Sequence, residues 1–219
     1  MNAELQLWRR IRGAIDGYAS HIVPLLGESY GRDSLQQAWR EFTLGGHTQF
    51  IENDPHSELF FSWLFHCWSP EPGKGAKVAD RTLYGVSPTR AYLARNASRL
   101  NPILRRYLQA CLDTPFGFYE ITECRPNIAF QARNVLTGAE FEVSESLASL
   151  SLKNGDIVFA HILSLDGISL MEATSPFSFP SAFLTHVTRR QRDREFRDRP
   201  DVSLRRLYFD LLGSYLFAG

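Results

Sequence analysis

Four ionisable side chains fall at every second position in Glu52, Asp54, His56 and Glu58, with His47 upstream and His66-Cys67 downstream. Imidazole and carboxylate together suit zinc or manganese, so His56, Glu58 and His66 are the candidate metal ligands, and the chemistry would be metal-dependent hydrolysis. No His-Glu-x-x-His pair or other tight ligand spacing occurs there. Acids just ahead of a helix also complement its positive end, which is the structural reading of the same residues. His66 and Cys67 are adjacent and point about 100° apart on a helix, so they cannot act as a nucleophile–base pair, and Cys67 is expected to be a buried thiol among Trp63, Phe65 and Trp68.

A second constellation lies near the C-terminus. Residues 189–206 carry eight Arg against Asp193, Glu195, Asp198 and Asp201, a local charge of +4. Arg189, Arg190, Arg192 and Arg194 are the candidate contacts to phosphates, which would supply sequence-independent affinity for RNA or a nucleoprotein. Phe118, Tyr119, Phe130 or Phe159 could add base stacking. The competing reading is a solvated face held by its own ion pairs, with Asp193/Arg197 and Glu195/Arg199 at the favourable i,i+4 spacing. Arg dominates the basic residues, with Lys only at 74, 77 and 153.

The remaining reaction classes find no residues. Ser144, Ser146, Ser149 and Ser151 form a serine-rich connection without a Gly-x-Ser-x-Gly elbow. Gly73-Lys-Gly75 is too short for a phosphate loop, and no Gly-x-Gly-x-x-Gly is present, so no cofactor is expected. Net charge is zero at pH 7, which argues against a surface wholly built for nucleic acid. Cys67, Cys111 and Cys124 are too scattered for a disulfide framework, and the N-terminus has no signal-peptide core. The longest apolar run, residues 59–68, is half the length a membrane span needs. A cytoplasmic, non-membrane protein is expected.

The elements that must position these residues change character midway. Helical spacing covers residues 3–26, with Pro24 as the interruption, then residues 33–42 capped by Asp33, then a segment from Asn53-Asp54-Pro55 to Trp68. Ser69 to Ala76 is a Pro/Gly-rich loop. Ser87-Pro88 and Asn101-Pro102 each start a further helix. From Phe118 the pattern is strand-like: 118–124, 128–133, 139–143, 156–163 and 168–171, separated by Pro126-Asn127, Thr137-Gly138, Asn154-Gly155 and Asp166-Gly167. Five short runs at regular spacing predict a small antiparallel β-barrel. The fold class is therefore α+β: a helical region over 1–114, the barrel over 115–180, and the Arg-rich segment with a C-terminal docking helix over 181–219. Pro200 is expected to break the charged stretch, and residues 202–219 supply an apolar helix.

Ala38-Trp-Arg-Glu-Phe42, Phe60-Phe-Ser-Trp-Leu-Phe65, Tyr119-Glu-Ile-Thr-Glu, Arg133-Asn-Val-Leu-Thr-Gly138 and Leu152-Lys-Asn-Gly-Asp-Ile-Val-Phe-Ala160 follow one another in this order. Over about residues 30 to 180 the chain resembles the uncharacterised bacterial proteins often associated with a C-terminal SEC-C metal-binding motif. That resemblance implies the architecture and carries no activity. The motif itself needs a Cys-x-Cys pair and a later Cys or His pair, which this sequence lacks.

Three functions follow as expectations. The leading one is a non-enzymatic binding module contacting RNA or a nucleoprotein through its Arg-rich segment. The second is a protein-interaction adaptor or homodimer using the apolar helix of residues 202–219. The third is a metal-dependent hydrolase centred on His56 and Glu58.

Overall fold

The computed structural model describes residues 3–31, 33–47, 49–75, 77–190 and 200–217. The chain divides into two compact units, Met1–Asp113 and Thr114–Gly219.

The first unit is helical: α1 (Ala3–Ile15), α2 (Tyr18–Tyr30), α3 (Ser34–Phe42), α4 (Ser57–His66), α5 (Pro88–Asn96) and α6 (Pro102–Asp113), with a 3-10 turn at Arg81–Leu83. The predicted single segment over residues 3–26 is two helices. The chain breaks at Gly17, in the left-handed region at φ 75°, while Pro24 is accommodated inside α2. Gly takes that conformation without a Cβ clash, whereas Pro24 removes only one backbone donor from an otherwise complete helix. Asp33 makes no side-chain cap. The two Pro-marked starts do cap: Ser87 Oγ accepts from Arg90 N at 3.4 Å and Asn101 Oδ1 from Ile103 N at 2.8 Å. The core is aromatic. Trp39 and Phe60 meet edge to face at 4.9 Å, and Phe42 lies 5.5 Å from Trp63.

The second unit is a closed barrel in the order β1-β2-β3-β5-β4. Its strands are β1 (Gly117–Arg125), β2 (Ala129–Asn134), β3 (Glu140–Val143), β4 (Ile157–Leu165) and β5 (Ile168–Phe179). A ring of five strands cannot alternate direction throughout, so one join must be parallel. It is β3–β5, made by the single register pair Val143 and Ser169; the other four joins are antiparallel. A helix, α7 (Ser146–Ser151), lies between β3 and β4. This connectivity is that of the OB barrel, a five-stranded Greek-key fold. The serine-rich connection expected there is thus partly helical, and β5 runs eight residues beyond its predicted end at Met171.

Asp166 (φ 53°) and Gly167 (φ 83°) form the two-residue link between the paired residues Leu165 and Ile168. Positive φ at both central positions is the turn whose twist matches a hairpin. Alternation along the strands points Tyr119, Ile121, Phe130, Ala132, Val143, Val158, Ala160 and Ile162 into the barrel core. After β5 come a 3-10 turn (Ser181–Phe183), α8 (Leu184–Arg190) and α9 (Pro200–Phe217). Pro200 opens α9, where its missing N–H costs nothing at the first helical position, and the charged stretch it is expected to break lies outside the described residues. No described helix is long and apolar enough to cross a membrane.

Candidate functional site

The Arg-rich segment is distributed unevenly over these elements. Arg189 and Arg190 occupy the last turn of α8 and are exposed. Arg190 Nη2 lies 3.7 Å from Asp210 Oδ2, a half-exposed pair of the kind that contributes little stability. Arg192 and Arg194 lie outside the described residues, as do Asp193/Arg197 and Glu195/Arg199. In α9, Arg205 is buried and donates through Nε (3.3 Å) and Nη2 (3.0 Å) to Asp201 one turn earlier. Its neighbour Arg206 is exposed. Cations equivalent in sequence therefore separate into one buried against a carboxylate of its own helix and three on the surface.

The stacking platform expected on the barrel does not form. Phe118, Tyr119, Phe130 and Phe159 are each at most 1 % exposed. Tyr119 and Phe130 point into the barrel. On the outer side, Phe159 stacks on Tyr208 of α9 at 5.2 Å, and Phe118 lies 5.1 Å from Phe159. Strand β4 is buried on both faces: on its outer one Phe159 meets Tyr208 of α9, and His161 stacks on Phe116 at 4.5 Å. Burial holds the Tyr119 phenol above the ordinary tyrosine range, a shift opposed by its hydrogen bonds to the Asn134 side chain and the Ile162 backbone.

The uncovered outer face of β1–β2–β3 is charged and lacks aromatics. Register aligns Glu120, Arg133 and Glu140 in one row, and Glu123, Gln131 and Glu142 in the next. Arg133 Nη2 donates to Glu120 at 2.6 Å, and Arg125 pairs with Glu142. Four Glu against Arg125 and Arg133 leave this face with a surplus of two negative charges. It is the face on which OB barrels commonly hold oligonucleotides, and here its charge opposes phosphate.

The acid and histidine cluster is dispersed. His56 Nδ1 lies 3.0 Å from Asp54 Oδ1, which also accepts the His56 backbone N–H at 2.8 Å. Burial lowers the His56 pKa, opposed by Asp54 and reinforced by His47. Glu58 is exposed, whereas His66 is buried with Nδ1 3.0 Å from Thr89 Oγ1, which in turn lies 2.6 Å from Tyr18 Oη. That buried chain joins α2, α4 and α5. No group of three or more His, Cys, Asp or Glu side chains able to hold a metal ion occurs among the described residues, so His56, Glu58 and His66 are not brought together. Cys67, expected to be buried, is exposed just past the end of α4; the buried thiol is Cys111.

The apolar helix is occupied as well. Leu204, Leu207, Tyr208, Leu211 and Leu212 are all buried, leaving Tyr215 and Leu216 as its exposed large side chains among the described residues.

Neither a family model, nor a curated protein, nor a solved structure matches this chain.

Proposed function

We propose that the protein is a non-enzymatic binding module that engages the phosphate backbone of RNA, free or in a nucleoprotein, through the Arg-rich segment between α8 and α9. The observation that carries this reading is the exposure of Arg189, Arg190 and Arg206 on either side of a stretch holding Arg192, Arg194, Arg197 and Arg199. Guanidinium forks suit phosphate oxygens better than ammonium groups do. The barrel supports a binding role by class of fold, since OB barrels carry ligands on rigid strands. Its buried aromatics limit the mode to phosphate contact.

The test is fluorescence anisotropy of a mixed-sequence RNA oligonucleotide titrated with the full chain across a salt series. Affinity should fall steeply with salt, and replacing Arg189, Arg190, Arg192 and Arg194 by Ala should reduce the log–log slope by about 3, near 0.7 for each single-strand phosphate no longer neutralised. An unchanged slope, or no binding at low salt, refutes the reading.

A further inference from the structure

Helix α7 has a side that the barrel does not cover. Ala148 and Leu152 pack against the barrel core, and the carbonyl of the buried Ser149 accepts from the Cys124 thiol at 3.2 Å. Away from that contact, Leu147 is 80 % exposed and Leu150 is 61 % exposed. Three positions apart, they share one helical face. Ile128, in the turn from β1 to β2, is 64 % exposed. It belongs to the same end of the barrel: Cys124 stands opposite Phe130, two residues beyond Ile128, and α7 packs on β2. These are three of the most exposed large aliphatic side chains among the described residues. None of them is required for folding, since a six-residue helix is held by its buried side and polar residues would serve equally at the solvated positions.

The ground beside this apolar patch is acidic. Arg125 stands in the outward row nearest to it and pairs with both Glu123 and Glu142 of the next row, with Glu140 one row further; the face as a whole still carries its surplus of two negative charges. Gln131 is three residues along from Ile128, about 10 Å in an extended strand. At the two ends of α7, Glu145 and Lys153 offset each other and leave that surplus standing. An anionic lipid surface or a nucleic acid would be repelled here. A segment carrying aliphatic side chains among Lys or Arg is matched in both respects.

We infer that Ile128, Leu147 and Leu150, rimmed by Glu123, Glu140 and Glu142, form a docking surface for a basic amphipathic segment of a partner protein. The aliphatic side chains of that segment cover the patch while its cations face the carboxylates. The surface shares no residue with the Arg-rich segment and stands whether or not that segment binds RNA.

Two labelled peptides test it against the full chain by fluorescence anisotropy: one of Leu and Lys with Leu at helical spacing, and one in which every Lys is Glu. The Lys peptide should bind at least about tenfold more tightly than the Glu peptide. Leu147→Ser/Leu150→Ser should weaken it by about tenfold at unchanged circular dichroism, and Glu123→Gln/Glu140→Gln should flatten its salt dependence. Arg189→Ala/Arg190→Ala should leave it intact. Equal binding of both peptides, or indifference to the Leu substitutions, overturns the inference. So does light scattering that shows a dimer which Leu147→Ser/Leu150→Ser dissociates, since a second copy would then be the occupant. Binding of anionic lipid vesicles that the same substitutions abolish would also overturn it, in favour of a membrane.

Discussion

At the scale of single residues, His56 is the group whose environment makes a measurable difference. Burial is the largest influence on it and disfavours the imidazolium, while the Asp54 carboxylate favours it. The net lowering means that the unfolded chain takes up the proton first as pH falls. The stability that neutral His56 contributes is therefore fully present above the unfolded value of about 6.5 and is lost as pH drops from there through the folded value. Urea unfolding of His56→Gln should show a shallower loss of stability over that window. The difference in slope should not exceed about 1.4 kcal/mol per pH unit, the most that one proton can supply. His66 is an equal candidate ligand by residue type. Its hydrogen bond to Thr89 comes from a helix 23 positions later, and spacing within one segment carries no record of such a contact.

At the scale of elements, strand runs and Pro-marked helix starts are legible in the sequence because they depend on local chemistry. Asp166-Gly167 makes its hairpin turn, and Ser87 and Asn101 cap the helices that Pro88 and Pro102 open. Pro24 departs from expectation because a helix with enough other contacts tolerates one missing N–H, which composition does not specify. The aromatics of β4 depart from it for another reason. Alternation distinguishes two faces of a strand, and Phe159 does lie on the outer one, yet it takes the packing of α9 and Phe116 to make this face dry. Tyr208 makes the α9 contact, 5.2 Å from Phe159 and 6.0 Å from Phe179. Tyr208→Ala should cost about 3–5 kcal/mol in chemical denaturation. It should also increase binding of an apolar dye as the outer face of β4 becomes wet.

At the scale of the whole molecule, the sequence is neutral in sum and divided in distribution. Within the second unit, exposed Arg flank residues 191–199, and the outer sheet face carries the opposite sign. Fold class is readable from the residues; the sign of that face is not, because its four Glu are spread over 23 positions and only register gathers them. With every candidate stacking aromatic buried, the proposed RNA affinity should depend on phosphate alone. Homopolymers of A, U and C of equal length should bind within about threefold of one another, since base stacking would spread them further. A clear preference for one homopolymer in anisotropy titrations would place bases, and hence some other surface, in the interface.

Five strands also bear on the order in which the barrel is made. Strands β1, β2 and β3 are joined by short turns, as are β4 and β5, so each group can assemble locally. Two joins link the groups: β1–β4, through four register pairs, and β3–β5, which rests on Val143 and Ser169 alone. With one register pair against four, the β3–β5 join is the first that thermal fluctuation can open. In native-state hydrogen exchange the amides of β3 should lose protection ahead of those in the β1–β2 ladder, marking a seam where the ring breathes without unfolding.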